Sequence, residues 1–269
     1  MTGSCDVTTM QGLGNVLHII KAGDMPDSGR EQFLQRLFSE KPADGLLAHG
    51  AGGRVETWNR DGSAAELCGN GLRCLARLGM EEGWLDPGSD QLQTDAGVHS
   101  ICSTADGGIS ISMPMPIAGA AAVGMQEDEL EVRDHAALLE WEGSELQLHL
   151  VATGNPHAVL FIEAQEHAAL LPALGPVLEQ HAAFPAGINV HCAAIDAGGM
   201  VLSSWERGVG LTQACATGAT AAVFAANASG LLEGACTVHM PGGELIVELD
   251  DTAAWNTGPA EYVERWSFE

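Results

Sequence analysis

Two cysteines stand where a proton could be moved. Cys215 follows Trp205-Glu206-Arg207-Gly208-Val209-Gly210-Leu211-Thr212-Gln213-Ala214 and opens a helix-like run of small residues over 216–226. Cys68 opens a second such run, Cys68-Gly69-Asn70-Gly71-Leu72-Arg73-Cys74. Each is followed three residues later by glycine. A thiol at a helix start sits among unpaired backbone N–H groups and at the positive end of the helix dipole. That setting lowers a thiol pKa and seats a carboxylate. Two such thiols suit inversion of an amino-acid α-carbon. One takes the α-hydrogen as thiolate, the other delivers a proton to the opposite face, and the roles exchange for the reverse direction. Two helix N-termini aimed at one carboxylate would stabilise its developing charge without a metal. The chain has only two lysines, Lys21 and Lys41, neither in a pyridoxal-phosphate setting, so no cofactor is expected.

The elements that must position these thiols repeat. Gly14-Asn15 before one strand matches Gly154-Asn155 before another, and Trp58-Asn59 ahead of Cys68 matches Trp205-Glu206-Arg207 ahead of Cys215. Helical spacing is expected over 27–39, with Asp27 or Ser28 as cap, from Cys68 to about residue 82, over 164–171 and 172–181, and from Cys215 to about residue 227. Strands are expected between them, and a hairpin after each cysteine helix. Pro114-Met115-Pro116 and the alanine-rich stretch after it read as a linker. The repeat predicts an α/β (α+β) fold of two pseudo-symmetric domains, residues 1–116 with 259–269 and residues 117–258, with a cleft between them.

Composition bounds the rest. The 269 residues are 46% hydrophobic, enough for a sizeable core. Thirty-six acidic against eleven basic residues give a net charge of −25, which disfavours nucleic acid and anionic membranes as partners. The first nine residues have no signal-peptide pattern, and no run of 18 apolar residues suggests a membrane span. Seven cysteines without a CxxC motif predict free thiols in a reducing cytoplasm and no structural zinc. Cys5, Cys102, Cys192 and Cys236 are expected to be small buried hydrophobes, Cys74 to be structural, and His135 and His167 to be solvated. The partner is a small amino-acid substrate; a homodimer is an admissible assembly.

Met10-Gln11-Gly12-Leu13-Gly14-Asn15, Asn59-x-Asp61-Gly62-Ser63, Cys68-Gly69-Asn70-Gly71-Leu72-Arg73-Cys74, Gly154-Asn155-Pro156-His157, Glu206-Arg207-Gly208-x-Gly210 and Thr212-Gln213-Ala214-Cys215 closely resemble the diaminopimelate epimerase family, as do Pro241-Gly242-Gly243 and Thr257-Gly258-Pro259-Ala260. The similarity covers essentially the whole chain in one order. It implies a pyridoxal-phosphate-independent epimerase interconverting LL- and meso-diaminopimelate in lysine and cell-wall synthesis, with Cys68 and Cys215 as the acid–base pair. It also implies that each domain is a sheet wrapped on a central helix. By the same resemblance Asn59, Asn155, Asn189, Glu206 and Arg207 would hold the substrate's amino and carboxylate groups. Asn15 would close the pocket, His157 would support the cleft, and the backbone N–H groups of Gly69, Asn70, Ala216 and Thr217 would receive the reacting carboxylate. Four positions, at three places in the chain, depart from the family pattern. Val16-Leu17 stands for Asp-Phe, Gly45 for a pocket-lining glutamine, and Ala216 for the glycine after the second cysteine. A racemase of another amino acid on the same fold is the close alternative. A non-catalytic binding protein and a redox switch using a Cys68–Cys215 disulfide are the more distant ones.

Overall fold

The computed structural model describes residues 4–65, 67–86, 88, 90–104, 107–126, 129–133 and 136–269. The fold is mixed α/β, mostly strand, and the chain divides into two compact units: Met1–Ser112 with Thr257–Glu269, and Met113–Asn256.

In the first unit a six-stranded sheet has the order Glu261–Phe268, Cys5–Gly12, Asn15–Lys21, Gly45–His49, Val55–Asn59, Ala64–Ala65. Its neighbours are antiparallel except Asn15–Lys21 with Gly45–His49, which are parallel and joined through helix α1 (Arg30–Glu40). Leu34, Leu37 and Phe38 form the apolar stripe of α1 and pack on Val7, Ile20, Leu46 and Trp58. This helix starts from Gly29 in the left-handed region, with no side-chain cap, rather than from Asp27 or Ser28. Helix α2 (Gly69–Glu82) contacts the strands Cys5–Gly12 and Asn15–Lys21. It ends on Gly83 at φ 77°, whose N–H returns to Gly79 and Met80.

The second unit repeats this plan. Its strand order is Glu131–Arg133, Ala136–Trp141, Ser144–Ala152, Pro156–Phe161, Asn189–Asp196, Gly199–Glu206, Cys236–Met240, Gly243–Leu249. Two pairs are parallel, Pro156–Phe161 with Asn189–Asp196 and Gly199–Glu206 with Cys236–Met240. Helix α3 (His167–Glu179) links the first pair and α4 (Ala216–Ala228) the second. In α3, Leu171, Leu174 and Leu178 bury against Leu148, Leu160 and Val190. The two helical segments expected over 164–181 are thus a 3-10 turn and one helix that carries Pro172 and Pro176 in its interior. Helix α4 is buried from Ala216 to Val223, and it contacts Ser144–Ala152, Pro156–Phe161, Asn189–Asp196 and Gly243–Leu249. Its alanine-rich composition lets those strands come close, so it is the central helix of this unit.

The structure corrects two smaller readings and adds two strands that the sequence did not signal. Cys102 is exposed, because alternation along Gly97–Ser103 turns Ile101 inward and Cys102 outward. His167 is buried, its ring held by Ser203 Oγ at 3.2 Å and Ile162 O at 3.4 Å. Strands Glu131–Arg133 and Ala136–Trp141 occupy sequence that carries no clear alternation. His135 lies outside the described residues. Interior histidines recur: His18 bonds Thr9 Oγ1 and Lys41 O, and His99 bonds Thr94 Oγ1 and Ser112 O.

Candidate active site

Cys68 is the N-cap of α2, with extended backbone (φ −131°, ψ 97°), and its Sγ accepts the Gly71 N–H at 3.3 Å. That is the place a serine or aspartate usually takes. The third helical position is glycine because a Cβ on Gly71 would lie 2.8 and 2.9 Å from the Leu47 methyls. The Cys68 Sγ lies 3.7 Å from Asn15 Oδ1. Asn15 is held there by a two-residue hairpin turn, Leu13-Gly14, in which both residues have positive φ (56° and 80°). Such a turn favours glycine and matches the twist of the strands it joins. The Asn15 amide is then oriented by Asp44, whose Oδ2 accepts Asn15 Nδ2 at 3.3 Å and Val16 N at 2.7 Å.

Behind this helix start lies Arg73, with no exposed surface. Its guanidinium donates to Asn70 Oδ1 (2.5 Å), Pro259 O (3.4 Å) and Gly69 O (3.5 Å). Burial pulls its pKa down to about 10, so it stays cationic at neutral pH, and its charge couples to Cys74 and Cys68. Asn70 therefore serves this arginine through its side chain. Cys74, one turn further along α2, is wholly buried and its thiol is pushed up to about 12 by desolvation.

Asn59 ends Val55–Asn59 and enters an exposed turn, where its Nδ2 donates to Ser63 Oγ at 3.0 Å. Gly45 stands beside it in the sheet; a Cβ there would lie 2.8 Å from Trp58 O. The backbone of the neighbouring strand thus occupies the space that a side chain at 45 would need.

Cys215 caps α4 in the same way (φ −126°, ψ 105°), with Sγ accepting the Gly218 N–H at 3.3 Å. The surroundings differ. Cys215 is 4% exposed, its Sγ is 3.4 Å from Thr217 Oγ1, and its thiol interacts with the Glu206 carboxylate. Desolvation first, and the charge of Glu206 second, raise its pKa well above the ordinary thiol value. Glu206 is itself raised by desolvation, offset in part by hydrogen bonds from Thr212 Oγ1, at 2.6 Å, and from Cys215. Ala216, where the family has glycine, is buried, and its carbonyl accepts Thr220 Oγ1 at 2.9 Å.

A network ties the remaining second-unit residues together. Asn155 Oδ1 receives Thr153 Oγ1 at 3.2 Å and faces His157 Nε2 at 2.7 Å. His157 Nδ1 lies 2.8 Å from His191 Nε2, and His191 Nδ1 lies 2.9 Å from Ser204 Oγ. Both imidazoles are fully buried. Desolvation takes His191 down to about 3 and His157 well below its ordinary value, with His191 and Arg207 adding to the effect on His157. Asn189 spans two turns: its Nδ2 donates to Pro156 O at 2.8 Å and its Oδ1 accepts the Arg207 backbone N–H at 2.9 Å. Arg207 is exposed and anchored by one N–H to Ala186 O at 2.6 Å.

Sequence reasoning missed the residues that hold these groups in place. Asp44 orients Asn15 from the position just before the strand Gly45–His49. Glu179, the last residue of α3, accepts Trp205 Nε1 at 2.7 Å and the Gly208 N–H at 2.9 Å, fixing the turn that carries Glu206 and Arg207. A glutamate at a helix C-terminus opposes the dipole, and that was the available signal for a tertiary partner. His191 and Ser204 lie on adjacent strands and show only as polar residues in apolar runs.

A family model for diaminopimelate epimerase matches residues 149–263. Diaminopimelate epimerase of Desulfitobacterium hafniense is 34% identical over 96% of this chain and 96% of its own length. Its counterpart in Halorhodospira halophila is 36% identical over 98% of this chain and 91% of its own length. Among solved structures, a phenazine biosynthesis protein of the PhzF family from Bacillus anthracis superposes with TM-score 0.72 at 16% identity, each chain covered completely. A hydroxyproline epimerase from Agrobacterium vitis with bound trans-4-hydroxy-L-proline gives 0.71 at 15% identity, covering 99% of this chain and 92% of its own. These structures share the fold. The sequence similarity, running almost end to end, places the chain in the diaminopimelate epimerase family.

Proposed function

We propose that this chain is a cofactor-independent two-base epimerase that interconverts LL- and meso-2,6-diaminopimelate, supplying lysine and peptidoglycan precursors in the cytoplasm. The observation that carries the reading is the doubled helix start: two thiols, Cys68 and Cys215, in the same N-cap geometry with the same glycine three residues on. Seven cysteines with no disulfide between them suit a reducing compartment.

The reading assigns roles as follows. Burial and Glu206 keep Cys215 protonated, so Cys215 is the acid that starts as thiol. Cys68 takes the α-hydrogen as thiolate. The electron pair of the broken C–H bond moves into the substrate carboxylate, and the backbone N–H groups of Gly69, Asn70, Ala216 and Thr217 stabilise the charge that develops there. Cys215 then gives its proton to the opposite face of the carbon and is left as thiolate, ready for the reverse direction. The side-chain N–H groups of Asn155 and Arg207 suit the substrate's carboxylates, and Glu206 its ammonium group. Asn15 and Asn59 complete the pocket, while Asn189 acts by holding its neighbours' turns.

The test is solvent exchange. LL-diaminopimelate incubated with the reduced protein in deuterium oxide should gain deuterium at Cα as the meso isomer appears. No exchange, or exchange only with another amino acid such as alanine or histidine, overturns the reading.

A further inference from the structure

We propose that His191 is a positioning residue: through His157 it locks the Asn155 amide in the orientation that offers its N–H groups to a substrate carboxylate. The inference rests on the proposed role of Asn155 in binding. Two directions of hydrogen bonding are possible along the series Ser204, His191, His157, Asn155. In one, each group donates toward Asn155, ending with His157 Nε2–H on Asn155 Oδ1. In the other, every donor is reversed and the Asn155 amide is flipped.

Ser204 decides between them. It is 3% exposed, and among the described residues its Oγ has one hydrogen-bond partner, His191 Nδ1. In the reversed direction Ser204 accepts from His191, and its own hydroxyl proton is left buried without an acceptor. A buried unsatisfied donor is costly, whereas the forward direction satisfies every buried proton. Both histidines are then neutral and protonated on Nε2. Arg207 opposes a positive charge on His157, which helps keep the series neutral. Thr153 Oγ1 adds a second donor to Asn155 Oδ1, which fits the same orientation. The Asn155 amide nitrogen is thereby the free end.

The ring of His191 has a second contact. A Cβ on Gly218 would lie 2.3 Å from it, so the imidazole packs against the turn whose N–H holds Cys215 Sγ. One side chain thus packs on the thiol's helix and, through His157, bears on the carboxylate-binding amide.

Two measurements test this. In the protein labelled with 15N-histidine at neutral pH, two-bond proton–nitrogen correlation should show His157 and His191 both neutral and Nε2-protonated. Ser204→Ala removes the directing hydroxyl and should yield mixed tautomers. Nδ1-protonated His157 in the unmodified protein overturns the proposal. In kinetics, His191→Leu should raise KM for LL-diaminopimelate about tenfold with kcat changed far less, as loss of uniform binding does. His191→Gln keeps a donor toward His157 and should recover most of that loss. An unchanged KM in His191→Leu overturns the proposal while leaving the epimerase reading intact. An unchanged KM in Asn155→Ala removes the binding role on which the proposal rests, whatever the tautomers show.

Discussion

The starts of α2 and α4 share a backbone and differ in everything around it. The dihedrals of the two cysteines agree within 8°, and both sulfurs accept a glycine N–H at 3.3 Å. Around Cys68 the thiol is half-buried, meets a neutral amide oxygen, and has a buried guanidinium behind it. Around Cys215 the thiol is buried, meets a carboxylate, and is held protonated. The backbone sets where a reactive sulfur stands, and the neighbours set whether it carries a proton. The proposed two-base transfer needs a partner that starts protonated, and the surroundings of Cys215 suit it to that part.

The comparison can be broken most directly by removing either sulfur. Cys68→Ala and Cys215→Ala should each lower kcat by on the order of 10²–10⁴-fold or more, whereas Cys74→Ala and Cys192→Ala should leave turnover standing. Near-normal epimerisation in either of the first two variants would end the two-base assignment. The two glycines offer a sharper contrast. Gly218→Ala drives a methyl into a rigid imidazole at 2.3–2.8 Å, while Gly71→Ala meets flexible leucine methyls at 2.8–3.2 Å. Overpacking costs about 1–3 kcal/mol, and Gly218→Ala should show the larger drop in melting temperature. Equal drops would mean that the His191 contact yields as easily as a leucine. The smallest effect concerns charge. Glu206→Gln removes an anion that raises the Cys215 pKa, so alkylation of Cys215, followed by peptide mass spectrometry, should begin at lower pH than in the unmodified protein. A midpoint that stays put would assign the whole shift to burial.

What was legible in the sequence was local. A cysteine, two residues and a glycine ahead of a helical run specify an N-cap, and Gly83 marks the end of α2, because these features concern residues within one turn. The two-unit repeat was visible for the same reason, as a recurrence of short signals. The orienting groups were not visible. Asp44 bonds residues 28 and 29 positions away, Glu179 bonds Trp205 26 positions away, and His157 pairs with His191 across 34. Nothing within a helical turn or a strand pair specifies those meetings. His167 and Cys102 fail as a pair in opposite senses: type alone suggests a wet histidine and a dry cysteine, and the facing of each on its element decides the reverse.

The interior histidines tie this fold to the acidity of its surroundings. Burial lowers the pKa of five interior histidines, His18, His99, His157, His167 and His191, and of the half-buried His49 and His149, below the ordinary 6.5. A base depressed in the folded state contributes stability that is fully present above about pH 6.5, and that contribution is lost as the pH falls toward the folded value, about 3 for His191. Between those limits the chain must take up protons as it opens. Calorimetric unfolding at about pH 5.5 should therefore give an enthalpy that varies with the ionisation heat of the buffer, and the slope should count the imidazoles that the folded protein keeps dry.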